Sequence, residues 1–404
     1  MSSRLQKPLL HALTRAALRA VPLTTLLLLV EFFDELNFGV EGAALPAFRS
    51  DFGMNYAQAG LLLGLPAVVS TLTEPAIMLL GDTRVRKALI VGGGLAVTLS
   101  LGLVSSASSF STLLLAMAIL FPATGAFVSL SQATLMDLNL GREAQAMARW
   151  TLAGSIGVLL GPLVLAAGFA FSLGWRWAFA SLAVLSLGLS VALAIRPLPA
   201  HLASNGAPPS LGGLWENLRQ ALRSRSILRW IVLLDFSDLM LDIFSAYLAL
   251  YFVDVVGASK AQAGVALAVL MATGMLSDAL LIPLLERVPG RTVVRASAIG
   301  VAGLYVLWLT LPGFAVKLGL LALIGFARLG WYAVLQGEAY ATAPGRSGTV
   351  MALLAASPGA GVLAWVVGLV AHRSGLETAM WLLLAGPVAL ALFLPRRKNF
   401  ADES

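Results

Sequence analysis

The sequence predicts an all-α integral membrane protein of twelve transmembrane helices, arranged as two six-helix bundles related by pseudo-symmetry. Three observations carry the prediction. First, 59% of the 404 residues are hydrophobic and 12% charged, with a mean hydropathy of +0.88. A soluble domain carries about 25% charged residues, so this much apolar surface belongs in a bilayer. Second, apolar segments of spanning length recur twelve times. Third, the chain is written twice: adding 204 to a first-half position gives its partner, without a gap. Glu31 falls on Asp235, Phe32 on Phe236, Asp34 on Asp238, Glu74 on Asp278, Asp82 on Glu286 and Lys87 on Arg291. The run Ala57-Gln58-Ala59-Gly60 falls on Ala261-Gln262-Ala263-Gly264. Gln132/Gln336, Gly141/Gly345, Arg142/Arg346, Met147/Met351 and Gly157/Gly361 keep the same register. Self-similarity at a fixed offset marks a duplicated unit.

In chain order, residues 1–21 are basic and mildly amphipathic (Arg4, Lys7, Arg15, Arg19) and read as a cytoplasmic segment. A basic start before an apolar run imitates a signal peptide. Here Glu31, Asp34 and Glu35 interrupt the run and no cleavage site is evident, so the run reads as a retained first helix. Spans of about 20 residues are expected at 22–47, 57–80, 86–106, 111–136, 147–170 and 176–195, forming a first bundle over 22–195. The Pro- and Arg-rich stretch 196–227 reads as a cytoplasmic linker. A second bundle over 228–394 holds spans at 228–253, 261–284, 292–312, 315–339, 350–371 and 376–394, and 395–404 is a cytoplasmic tail.

Charge sets the orientation. Of the 27 Lys and Arg, only Arg49, Arg176, Lys260, Lys317 and Arg373 fall on the odd-to-even loops, and Arg328 lies inside a span. The rest lie at the termini and the even-to-odd loops, so the positive-inside rule places both termini in the cytoplasm. This distribution also accounts for the net charge of +7 without nucleic acid. The absence of cysteine excludes disulfides, thiolate metal sites and Cys nucleophiles. The Ala, Leu, Gly and Arg bias fits a GC-rich bacterial genome, hence a bacterial inner membrane.

The candidate site is acidic. Glu31, Asp34 and Glu41 step by three or four residues with Phe38 and share one stripe of helix 1, with Glu35 beside it. Asp235, Asp238 and Asp242 repeat the stripe on helix 7. An ionised Asp facing lipid costs about 2.5–3.5 kcal/mol or more, so these groups face a cavity or a partner. Crowded carboxylates in a wettable cavity suit a proton-coupled carrier; the structural alternative is salt bridges or hydrogen bonds between helices. Arg328, with Trp331 and Tyr332 one turn on, must pair, either with a helix 7 carboxylate or with an anionic group on a substrate. Gln132 and Gln336 line a pathway or bond helix to helix. Glu74, Asp278, Asp82 and Glu286 lie toward the cytoplasmic ends of helices 2 and 8, where acid followed by base suits a breakable ion pair. Glu31, Asp34, Asp235 and Asp238 have acidic partners in the other half, whereas Glu35, Glu41 and Asp242 do not. The unshared acids and Arg328 are therefore the candidates for substrate specificity.

Leu80-Gly81-Asp82-Thr83-Arg84-Val85-Arg86-Lys87 resembles the loop 2–3 signature of the major facilitator superfamily, matching at Leu80, Asp82, Arg86 and Lys87. A degenerate second copy holds Leu284, Glu286, Arg287 and Arg291. The resemblance implies a cytoplasmic gate here, and Arg142 belongs to the same loop set. Helix 5 carries Gly154, Gly157, Gly161 and Pro162, which resemble the G-x-x-x-G-P signature of drug:proton antiporters. Small residues permit close helix approach and a helical Pro bends the backbone. Gly174-Trp175-Arg176-Trp177-Ala178-Phe179 resembles the family's loop 5–6, and the helix 1–2 region resembles the fosmidomycin-resistance type of exporter. The resemblance implies an MFS-like fold with a site between helices 1, 4, 7 and 10, and alternating access by rocking of the halves.

The expected function is proton-coupled efflux of small amphiphilic or cationic compounds by a monomer. Its partners are a small-molecule substrate, protons and the lipid bilayer, without nucleic acid or cofactor. No Walker sequence, G-x-S-x-G or paired His at i, i+4 is present, so an ion gradient rather than ATP supplies the energy, and the chain is not expected to be an enzyme. Two other carriers are compatible: a divalent-metal exporter using Asp34, Asp238 and Asp242 as oxygen ligands, and an organic-anion or lysolipid carrier. A non-transporting membrane enzyme or receptor is the different-class alternative.

Overall fold

The structure, a computed structural model, describes residues 22–81, 84–139, 143–197, 225–285, 287–341 and 359–395. Those residues are helices and short connections, with no strand among them. The first half comprises α1 (Leu23–Phe52), α2 (Tyr56–Gly81), α3 (Arg86–Ser106), α4 (Phe110–Asp137), α5 (Glu143–Ala170) and α6 (Arg176–Ala194). The second half begins with α7, which runs through Arg225–Asp238, a π-helical turn Leu239–Ile243 and Phe244–Asp254. It continues with α8 (Lys260–Leu285), α9 (Gly290–Thr310), α10 in two pieces (Phe314–Ala327 and Trp331–Ala341), α11 (Gly359–Ser374) and α12 (Leu376–Phe393). Among the described residues nine helices are long and apolar enough to cross a membrane. The acid-bearing α1 and α7 are not among those nine, nor is α11, whose expected start at 350 lies outside the described residues. The basic prefix and most of the linker and tail lie outside them too.

The repeated run Ala-Gln-Ala-Gly does the same local work in both halves. At the start of α2, the Asn55 side chain accepts from the Gln58 amide at 2.9 Å, and the Gln58 side chain accepts from the Asn55 amide at 3.0 Å. At the start of α8, Ser259 and Gln262 make the same reciprocal pair at 3.2 and 2.9 Å. These are capping boxes, satisfying helix-start donors that have no partner within the helix. The turns before them pass through Gly53 (φ 59°) and Gly257 (φ 75°), one in each copy, where a side chain would be strained. Ala59 and Ala263 are fully buried. Gly60 and Gly264 then admit the other half: a Cβ on Gly60 would lie 2.9 Å from the Gly368 Cα, and one on Gly264 3.0 Å from the Pro162 carbonyl oxygen.

The halves therefore meet along two equivalent seams, α2 on α11 and α5 on α8, with α1 against α7 between them. The seams are pinned at one end of the molecule. Arg49 donates to Asp254 at 2.6 Å, and Tyr56 donates to the same carboxylate at 3.1 Å. Lys260 donates to Ser50 at 2.8 Å. Tyr56–Asp254 and Lys260–Ser50 occupy equivalent positions with the halves exchanged, as a two-fold interface requires. The ion pairs at the opposite end stay within one half. Arg86 joins α3 to Asp137 of α4 at 2.5 Å, and Arg291 joins α9 to Glu338 of α10 at 2.5 and 2.7 Å.

Two expected boundaries are corrected. The first helix does not end at 47 but continues to Phe52, where Gly53 takes a left-handed C-cap conformation that ends the helix. The tenth span is not continuous over 315–339. It breaks at Arg328, Leu329 and Gly330, the last at φ 69°.

Candidate functional site

The glycines of α5 fix where the acids of α1 stand. A Cβ on Gly157 would lie 2.3 Å from the Phe32 carbonyl oxygen, and one on Gly161 2.5 Å from that of Leu36. Only backbone fits there, so α1 and α5 lie in direct contact, with Gly39 meeting Pro162 from the other side. Glu31 is buried against Gly154, where a Cβ would come within 2.6 Å of its Oε1. Its partner Asp235 lies against Gly359 of α11, where a Cβ would come within 2.3 Å of the carboxyl carbon. This shared pair thus sits at corresponding helix contacts in the two halves.

The remaining α1 acids turn toward α2 and α4. Asp34, Glu35, Glu41 and Glu74 line one pocket of about 240 Å³, with Asn37, Ser70 and the π-helical turn Gly125–Ser129 of α4. Asp34 interacts electrostatically with Glu35, Glu41 and Glu74. Glu74 accepts from Ser70 at 2.8 Å and packs on Gly125, which a Cβ would place 2.9 Å from its Oε1. Glu74, expected near a cytoplasmic gate, is therefore part of the acid pocket.

A second cavity of about 170 Å³ lies between the halves. Its walls are mainly apolar, including Phe38, Leu63, Phe121, Leu267 and Met271, and its two carboxylates come from opposite halves: Glu41 of α1 and Asp242 of α7. Phe38, Glu41 and Phe121 line both spaces, so the cavities adjoin. Glu35 and Asp242 interact electrostatically across the halves. The three acids near the middle of α1 and α7 that lack an acidic partner in the repeat, Glu35, Glu41 and Asp242, thus gather where the halves meet. Among the described residues no cation lines either cavity.

Arg328 lines neither of these cavities. Its Nη1 donates to the carbonyls of Met240 and Leu241, the latter at 3.3 Å. These carbonyls lie in the α7 π-helical turn, where wider winding disrupts the ordinary ladder. The charge of Arg328 acts on Asp242 within the same turn. Asp238 is half-buried and interacts with Asp235 and Asp242, without lining either cavity. Gln132, Gln336 and the exposed Tyr332 line neither.

Of the residues expected at a gate, Arg86 bonds Asp137 and the Gly81 carbonyl, and Lys87 bonds the Ala194 carbonyl at 2.9 Å. Both contacts stay within the first half. Asp82, Glu286, Arg142 and the side chain of Asp278 lie outside the described residues. Pro162 lines the central cavity, beside the Gly264 seam.

Sequence reasoning missed several residues. Asn37 stands one turn after Asp34 on the acid-bearing helix, a signal that was available. The pin between Arg49 and Asp254 had only the weak signal of opposite charges at equivalent helix ends. Lys317, grouped with the loop cations, is instead buried at the start of α10. It donates to the Trp308 carbonyl at 2.5 Å and Tyr251 at 3.1 Å, under the rings of both. That is a cation–π arrangement which no local spacing announces.

The Major Facilitator Superfamily family model matches residues 27–366. No curated protein matches the chain. Among solved structures, the chain is similar to a bacterial homologue of the human lysosomal transporter Spinster in an inward-facing, unoccupied conformation. That match has a TM-score of 0.76 and 16% identity, covering 92% of this chain and 95% of the other. The nucleoside transporter NupG gives a TM-score of 0.75 at 15% identity over 93% and 98%. At these identities the likeness concerns the fold.

Proposed function

The chain belongs to the major facilitator superfamily, and from that premise we propose that it is a proton-coupled exporter of small amphiphilic or cationic compounds. The carrying observation is the central cavity. Its apolar walls suit an apolar body, and its carboxylates, Glu41 and Asp242, face it from opposite halves. A cation held there draws on both halves at once. Protons and a cationic substrate compete for the same negative charges, because adding either reduces the attraction left for the other. That competition is the physical basis for exchange. The units that move are the two bundles, 22–195 and 228–394, rocking around a central site in the manner common to this architecture.

The proposed setting is a bacterial inner membrane with both termini cytoplasmic, the protein acting as a monomer. In that orientation the pinned end bearing Arg49–Asp254 faces outward. The halves would then be closed to the outside and ready to load from the cytoplasm. Export rather than uptake is supported by the antiporter-like glycine and proline pattern of α5. The metal-exporter alternative is less well supported: among the described residues no three His, Cys, Asp or Glu converge closely enough to hold an ion.

The test is reconstitution into proteoliposomes with an imposed pH gradient, screening lipophilic cations, anions and divalent metals. Cation flux should follow the gradient. Glu41→Gln and Asp242→Asn should each lower that flux at least about tenfold, the loss of about 1.4 kcal/mol of binding. Cation flux that ignores pH and survives both substitutions would sink the proposal.

A further inference from the structure

The polar pocket beside the central cavity contains one group that its carboxylates do not explain. Asn37 lines it and is 5% exposed. Its side-chain oxygen is buried and has no hydrogen-bond partner among the described residues. A buried acceptor left unpaired is costly, and such exceptions in native structures call for an explanation. While ionised, the neighbouring acids cannot relieve it, because an ionised carboxylate only accepts hydrogen bonds; a protonated one can donate, so proton and ligand compete for this position. The Ser70 and Thr124 hydroxyls of the pocket donate to other groups, so the Asn37 oxygen lacks a donor, and negative charge in the pocket attracts a cation. A cation that is also an N–H donor meets both needs.

We infer that this pocket is the head-group subsite for a protonated amine, with Asn37 accepting an ammonium N–H. This rests on the cationic-exporter reading and narrows it. The adjoining cavity takes the apolar body of the same molecule, with Phe38 and Glu41 at the junction. The charged head then lies among Asp34, Glu35 and Glu74, and the Asn37 oxygen supplies directional selection that charge alone does not. Primary, secondary and tertiary ammonium ions carry an N–H, whereas quaternary ammonium ions do not. A site built to hydrogen-bond an N–H rejects the analogue lacking it, because its own polar group stays unpaired.

The probes are N,N-dimethylbenzylammonium and benzyltrimethylammonium, which carry the same charge near neutral pH and differ by one N-methyl in place of the N–H. Binding to the full-length protein in detergent is measured by calorimetry, and competition for flux is measured in proteoliposomes. The wild type should bind the protonated amine about tenfold more tightly than the quaternary ion, which is about 1.4 kcal/mol. Asn37→Leu should collapse that ratio to near one through loss of amine affinity, whereas Asn37→Ser, which keeps an acceptor, should retain part of it. Equal affinity in the wild type overturns the inference and leaves the exporter reading standing. A preference that survives Asn37→Leu is steric and also overturns it. If neither cation binds nor competes, both readings fall. Should Asn37→Leu fail to fold, the wild-type ratio and Asn37→Ser still decide.

Discussion

Helices α1 and α7 begin from the same acidic pattern and end in different chemical situations. On α1 the acids stand against a rigid wall, because α5 presents backbone at Gly157 and Gly161 with no room for a side chain. Their negative charge is directed into a pocket that no cation among the described residues lines. On α7 the stripe passes through a π-helical turn, and Arg328 holds the carbonyls of that turn and acts on Asp242. The first half thus offers an unbalanced charge on a stiff support. The second half sets one cation beside its three carboxylates, on an irregular support. One repeated sequence can therefore supply an acid-lined pocket and an irregular helical turn, depending on what packs against it.

The strongest way to break this comparison is to remove the cation beside α7. Arg328→Met should strand the turn carbonyls and leave Asp242 without its neighbouring cation, costing about 3–5 kcal/mol, the scale for removing one member of a buried charged set. Arg328→Lys should recover only part, since an ammonium lacks the planar fork. Thermal melts in detergent, together with cation flux, check both. A melt within a degree or so of the wild type for Arg328→Met would remove Arg328 from the account of α7.

The fate of Arg328 also shows how far the sequence could be read. Helix positions, duplication and which acids lack an acidic partner were legible because each depends on periodicity or on residue type at a fixed offset. The π-helical turns at Gly125–Ser129 and Leu239–Ile243 were not, because one extra residue of winding leaves no mark in composition. The helix 7 carboxylate expected beside Arg328 is met by Asp242, but the Met240 and Leu241 carbonyls that it also bonds belong to one of those turns and were hidden with it. That Glu74, expected at a gate, also lines the acid pocket was not legible from its depth along α2. The pocket that holds it depends on how closely α4 approaches at Gly125. The reason for the repeated Ala-Gln-Ala-Gly became visible only with its capping bonds and its seam contacts.

A smaller effect sharpens the comparison between equivalent glycines. Gly157 and Gly361 occupy the same register, yet Gly157 packs on α1 of its own half and Gly361 packs on α2 of the other. A Cβ on Gly361 would lie 2.8 Å from the Gly64 carbonyl oxygen. Gly157→Ala should lower the melting temperature, corresponding to about 1–3 kcal/mol of overpacking strain. Gly361→Ala should instead push the halves apart at the α2–α11 seam, altering the distance between spin labels placed on the 1–2 and 7–8 loops. If both substitutions lower stability alike and neither moves the labels, the two glycines are equivalent after all.

The smallest effect tests where the halves are the same. Gln58→Ala and Gln262→Ala each remove half of a capping box and should cost about 0.5–1 kcal/mol apiece. The two costs should agree within a few tenths of a kcal/mol in chemical denaturation. A large difference would show that the local symmetry of α2 and α8 does not extend to their energetics.

The contacts at the pinned end have a consequence for how one polypeptide differs from a dimer of identical subunits. Two copies of the second half would pair Lys260 with Asp254 twice over, making two ion pairs across the axis. Two copies of the first half would pair Tyr56 with Ser50 twice and make none. In this chain the partners are crossed: Tyr56 meets Asp254, and Lys260 meets Ser50. Among the described residues the seam therefore keeps one inter-half ion pair, Arg49 with Asp254, at side-chain exposures of 29% and 19%. A partly exposed pair of this kind contributes on the order of 1 kcal/mol or less. A fastening this slight costs little to open, and covalent fusion lets the two sides of a two-fold axis differ enough to make it so.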